Sequence, residues 1–145
     1  MHPVREKMNR ALKAIAVPKL RQFGFKGSFP HFRRVRHDHV DLVVFQFNKY
    51  GGSFVAEIAR LASDELASHS WNPGLSLSNA TVYDASVIKR HRLGAIGDGD
   101  HWFIFGKEND KPDYDQVESD IVYERIAEKV AALVETEGEQ WWSGL

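Results

Sequence analysis

Apolar positions change their period along this chain, and the changes mark out its elements. Val4, Met8, Leu12 and Ile15 recur at helical spacing with Ala11 and Ala16 beside them, which predicts an amphipathic helix over residues 3–22. Pro18 removes a backbone donor and predicts a kink or restart, and Gly24 suits the residue that ends a helix. From Phe25 the period falls to two. In HVDLVVFQF, residues 39–47, Val40, Leu42 and Val44 share one face and Val43, Phe45 and Phe47 the other. A strand apolar on both faces belongs in the middle of a sheet, where Gln46 must find hydrogen-bond partners. FPHFRRVR, residues 29–36, reads as a more polar strand before it. After a turn at Lys49–Gly52, SFVAEIARL, residues 53–61, returns antiparallel.

Residues 62–86 carry weaker signals. Ser63 suits the start of a short helix with Asp64 and Glu65 in its first turn, and Asn72-Pro73-Gly74 forces a turn. Connections of this length are often lids or binding loops. Further on, Ser119 or Asp120 opens a helix with Val122, Ile126, Val130, Leu133 and Val134 on one stripe, and Gly138 is expected to end it. Trp141 and Trp142 follow; left in water they would form a large apolar patch, so at least one is expected to fold back on the core or meet a second subunit. The order of elements predicts a single α+β domain over residues 1–145, an antiparallel sheet of four to five strands with N-terminal and C-terminal helices packed on one face.

RLGAIGDGDHWFIFG, residues 92–106, is glycine-rich without being a phosphate loop. A dinucleotide fingerprint needs its glycines between a strand and a helix, and here a strand pattern follows. An EF-hand needs oxygen ligands at alternate positions, where this stretch has Trp102 and Ile104. Asp98-Gly99 between two alternating runs instead predicts a tight hairpin. That register pairs Ala95 with Trp102 and Leu93 with Ile104 on a core face. The other face joins Arg90, Arg92 and His101 with Ile96, Phe103 and Phe105.

Charge adds an asymmetry to this picture. Residues 1–50 hold 11 Lys/Arg against 3 Asp/Glu, and residues 98–145 hold 4 against 13, within a net charge of −1. The simplest reading is two ends of the chain that pack together; an anionic partner is the alternative. Cysteine is absent, which removes disulfides, thiolate metal sites and cysteine nucleophiles. Neither a secretion signal nor an 18-residue apolar run is visible, so a cytoplasmic protein away from membranes is expected.

Two basic runs, with Arg33, Arg34 and Arg36 in one and Lys89, Arg90 and Arg92 in the other, fall on expected strands near Phe29, Phe32, Phe103 and Phe105. Arginine forks suit phosphate or carboxylate, and rings among them suit stacked bases. Nucleic acid is not favoured, because such domains tend to a pI above about 9 and this chain has a pI near 6.7. His37 and His39, with His91 and His101 across the sheet, lack a zinc-site spacing, so neither metal nor cofactor is expected. Glu57 is a lone carboxylate in an apolar strand and reads as salt-bridged or solvent-facing. These observations favour a non-catalytic module for a small anionic ligand or a protein partner, a second copy of the chain included. The candidate site is Arg33, Arg34, Arg90, Arg92, His101, Phe103 and Phe105. The alternatives are a phosphate-ester or nucleotide-processing enzyme using Arg92 and His101, and a weak single-strand nucleic-acid binder.

KLRQFGFKG (residues 19–27), Phe32 with its neighbouring arginines, VVFQF with Gln46, and RLGAIGDGDHWFIF together resemble a bacterial family, domain of unknown function 4304. The resemblance spans residue 4 to about 105, with Trp102-Phe103 where family members often show two tryptophans. It implies the fold and brings no activity or catalytic residues.

Overall fold

The first helix forms where its apolar spacing puts it, with a break that keeps its buried side in line. In the computed structural model, which describes residues 3–97, 99–106 and 119–144, α1 (Pro3–Ala11) runs into a π turn (Leu12–Ala16) and on into α2 (Val17–Gln22). Val4, Met8, Leu12, Ala16 and Leu20 are all buried. A strict four-residue spacing drifts around a helix of 3.6 residues per turn. The wider π turn, closed by the Val17 N–H on the Leu12 carbonyl, reverses that drift and sets Pro18 at the start of α2.

The C-terminal helix repeats the device. Ser119 caps it, its hydroxyl accepting from the Ile121 N–H at 3.4 Å. α3 (Asp120–Leu133) then passes through a second π turn (Val134–Gly138) into α4 (Glu139–Ser143). Gly138 therefore does not end the helix. It is buried, and a methyl group there would lie 3.2 Å from the Trp142 ring, so its smallness serves packing. The buried stripe is Tyr123, Ala127, Val130, Val134 and Trp142, turned slightly from the expected one; Ile126 and Leu133 sit at its margin. Small Ala127 lets the helix approach closely where a larger aliphatic side chain would hold it away.

The sheet is antiparallel, in the order β1 (Lys26–Ser28), β2 (His31–Val35), β3 (His39–Phe47), β4 (Ser53–Ala62), β5 (Arg90–Arg92), with β6 (Phe103–Ile104) also paired to β4. The helices cover one face, where Phe32, Val43, Phe45, Phe54, Ala56, Ile58 and Phe103 belong to the same core as Met8, Leu12, Leu20, Tyr123 and Val130. Val40, Leu42, Val44, Ala59 and Leu61 fill the opposite, outer face, under Ala80, Val82 and Ala85. Residues 62–89 supply that cover through three short 3₁₀ segments, Ser63–Ser68, Val82–Asp84 and Val87–Lys89. The helix expected after Ser63 is the first of them, and the turn at Asn72 closes with the Leu75 N–H on the Asn72 carbonyl at 3.1 Å. Among the described residues no helix is long and apolar enough to cross a membrane.

The acidic and basic ends meet across the helix layer: Lys7 pairs with Asp120 at 2.7 Å, Lys19 with Glu135 at 3.5 Å and Arg34 with Glu139 at 2.6 Å. Trp142 folds back, as expected, and donates its indole N–H to the Ala59 carbonyl at 3.0 Å. Trp141 is half-buried and stacks on His91.

The hairpin expected at Asp98-Gly99 is not formed. Asp98 itself lies outside the described residues, but the strands around it settle the register. Arg92 pairs with Glu57 and Phe103 with Phe54, so eleven steps along the edge advance only three along β4. β5 and β6 are two pieces of one edge strand; residues 94–97 leave it after Leu93, and residues 99–102 return to it. Gly94, with φ +91°, takes a left-handed backbone at the departure. The physical reason is the competition for the core. The edge strand buries Leu93, Phe103 and Phe105 together, whereas the hairpin puts Leu93 on the face opposite the two phenylalanines. Leu93 is in the core as expected, but over residues 102–105 the expected faces are exchanged: Phe103 and Phe105 are buried, Ile104 is 64% exposed, and Trp102 is only half-buried.

Candidate functional site

The outer face carries a cleft of about 380 Å³ between the end of the covering segment and the excursion from the edge strand, lined by Gln46, Glu57, Tyr83, Val87, Arg90, His91, Arg92, Gly97, Gly99 and Asp100. Sheet alternation explains which side chains reach it. Glu57 on β4 lies opposite Arg92 on β5, and Ala59 opposite Arg90, so both arginines share the outer face with Glu57. Gln46, at the far end of β3, is exposed there rather than buried.

Glu57 is only 7% exposed and is matched by cations, as a buried charge must be. The Arg92 Nε donates to it at 3.1 Å, and the Arg90 Nη1 lies 3.9 Å away. Arg90 is otherwise spent on structure, donating to the Ala85 carbonyl at 3.1 and 2.8 Å and to the Tyr83 carbonyl at 3.2 Å. It thereby fixes the covering segment to the sheet. Arg92 faces outward with its Nη1 on the Asp100 carboxylate. The other Asp100 oxygen accepts from the Trp102 indole at 3.2 Å, and the Trp102 ring lies 5.6 Å from the guanidinium. Burial, and then the Glu57 charge, push the Tyr83 phenol above its usual range, with Arg90 and Arg92 opposing. Tyr83 is therefore a neutral hydrogen-bond donor at the rim.

Of the seven residues expected at the site, only Arg90 and Arg92 line the cleft. Arg33 is on the outer face but donates to the Ala80 carbonyl at 2.9 Å. Arg34 faces the helices, buried in an ion network. Its Nε meets Asp41 at 3.0 Å, its Nη1 meets Glu139 at 2.6 Å, and Arg60 reaches Asp41 at 3.1 Å. Phe103 and Phe105 are core residues, so they offer no open ring for stacking. His101 sits edge-on to Phe103 at 4.8 Å and against Gly94. His91 turns to the helix side, where Nε2 meets Glu137 at 2.6 Å. His39 lies 2.7 Å from Asp38. Among the described residues no group of three or more histidines and carboxylates could hold a metal ion.

Glu57, Gln46, Tyr83 and Asp100 are cleft residues that the sequence reading left out. Their signal was present in part. Glu57 and Gln46 are polar interruptions of two apolar strands, and pairing Val44 with Glu57 and Gln46 with Val55 sets both interruptions on one face.

No curated protein and no solved structure matches the chain. A family model does, over residues 16–144, beyond both the edge strand and the glycine-rich excursion and through the C-terminal helix. On that match the chain belongs to the family described as Domain of unknown function (DUF4304).

Proposed function

We propose that the protein is a non-catalytic, cytoplasmic binding module that takes a small anion at Arg92 in the outer-face cleft. One observation carries this reading: an arginine anchored by a buried carboxylate turns the rest of its fork outward into the cleft, where a loop carboxylate already occupies it. A fork positioned in this way suits carboxylate or phosphate. The non-catalytic reading is supported by the same geometry, since among the described residues both carboxylates lining the cleft are paired with Arg92 and neither stands free as a base. Burial of Arg34 within its own ion network leaves less basic surface for a nucleic-acid backbone. Absent cysteine accords with a cytoplasmic setting.

Thermal unfolding with added phosphate, sulfate and acetate, at two concentrations of sodium chloride, tests the proposal. An anion bound to the native state raises the melting temperature by mass action. The effect should shrink with salt and disappear in Arg92→Gln. Equal responses from wild type and Arg92→Gln, or none from either, overturn the reading.

A further inference from the structure

We infer that the cleft selects a monocarboxylate bearing an apolar or aromatic group, and that Asp100 is its built-in competitor. The inference rests on the anion reading above and narrows it.

The two carboxylates on Arg92 differ in kind. Glu57 is buried on β4, and its removal would leave two guanidiniums facing each other. The Asp100 side chain is 60% exposed and sits on the excursion, next to Gly99 and beyond Gly97, where an added methyl group meets nothing within 4 Å. Asp100 can therefore leave where Glu57 cannot. Its bond to Arg92 lies in water, where ion pairs contribute little, so a ligand has little to displace.

Counting the charges of the described residues that line the cleft gives the ligand's valence. With Asp100 in place, Arg90 and Arg92 balance Glu57 and Asp100. With Asp100 displaced, one positive charge faces the cleft. A carboxylate matches it, whereas a phosphate ester, near −2 at neutral pH, overshoots beside the fixed charge of Glu57.

The rim gives the remainder of the ligand. Val87 lines the cleft and is 75% exposed, and Ile88 beside it is 88% exposed. Ile96 precedes the lining residue Gly97 and is 93% exposed. Apolar side chains this open beside a charged cleft suit an apolar cover. The chain already supplies such a combination, since Asp100 and Trp102 set a carboxylate and an aromatic ring on the same guanidinium.

Titration of the full chain, by calorimetry and by amide chemical shifts, with phenylacetate, phenyl phosphate and the neutral 2-phenylethanol tests this. Phenylacetate should bind more tightly than phenyl phosphate, and 2-phenylethanol should not bind. Asp100→Asn, at an exposed position and with its melting curve checked, should tighten phenylacetate by about two- to fivefold. Shifts should map to residues 87–102. Should phenylacetate bind with no gain in Asp100→Asn, or phenyl phosphate prevail in both proteins, the competitor and the selectivity fall while the anion site stands. Should no anion bind to either protein, the site falls with them.

Discussion

Trp142 joins the two ends of the chain through one side chain. It is 1% exposed, its ring centroid lies 5.0 Å from that of Phe25, and Arg34 is 5.1 Å from its centroid. Trp142→Ala should cost roughly 3–5 kcal/mol, the range for emptying a buried aromatic site. Trp142→Phe keeps most of the apolar contact but leaves the Ala59 carbonyl without its indole donor, at roughly 1–3 kcal/mol. Urea unfolding of the two variants checks both values; a Trp142→Ala protein as stable as wild type would show that the tail is not part of the core. The burial of one tryptophan was legible from two adjacent indoles that water would not tolerate. The arginines were not so legible. Arg33 and Arg34 are neighbours in a basic run, yet strand alternation sends them to opposite faces, and only knowledge of which face the helices cover tells which is buried.

At the scale of elements, the paired helices owe their straight buried sides to two π turns. Deleting Ala14, an exposed residue of the first turn, should return it to α-helix and keep the apolar face, because the spacing from Leu12 to the next core residue then becomes three. The deletion alone sets the proline ring against a carbonyl one turn back, at roughly 3 kcal/mol. Adding Pro18→Ala should recover most of that loss in urea unfolding, and failure to recover it would mean that the π turn has another role. Helix pairing also has a pH signature. The Lys7 ammonium, by hydrogen bond and then by charge, holds the Asp120 carboxyl below its usual range against a small opposing effect of burial. A depressed carboxylate stabilises the fold above its unfolded value, about pH 4, and the contribution is lost as pH falls through the lower folded value. Asp120→Asn should therefore flatten the acid limb of the stability curve below about pH 4 and leave its neutral part with the same slope. Both helices and the two central strands were legible, because their periodicity is local and long. The π turns were not, although the four-residue rhythm of Val4, Met8, Leu12, Ala16 and Leu20 is the trace of the first.

For the whole molecule, the decisive event is the choice of partner for residues 90–105. Asp98-Gly99 is a strong local hairpin signal, and it lost to β4, which could accept both halves of the segment and bury Leu93, Phe103 and Phe105 at once. Nothing local announces that outcome, so the cleft formed by the excursion was out of reach of the sequence pattern. The register makes a sharp prediction. Leu93 donates to the Ala56 carbonyl and Phe103 pairs with Phe54, so one position, opposite Val55, separates them on β4. Deleting residues 94–101 brings Trp102 to that position and should give a folded protein with an unbroken edge strand. Cooperative unfolding, with the Leu93 and Phe103 amides both protected from exchange, is the expected result; loss of cooperativity would mean that the register is wrong. The same variant exposes what the excursion does for the chain in solution. As it stands, the pieces of this edge are three and two residues long, and the opposite edge, β1, is three residues long with Lys26 on it. An unpaired strand is a template on which another chain can add, and neither edge offers a template of useful length. The glycine-rich detour that opens the cleft also keeps the sheet from growing, and a chain without it should gather into aggregates as its concentration rises.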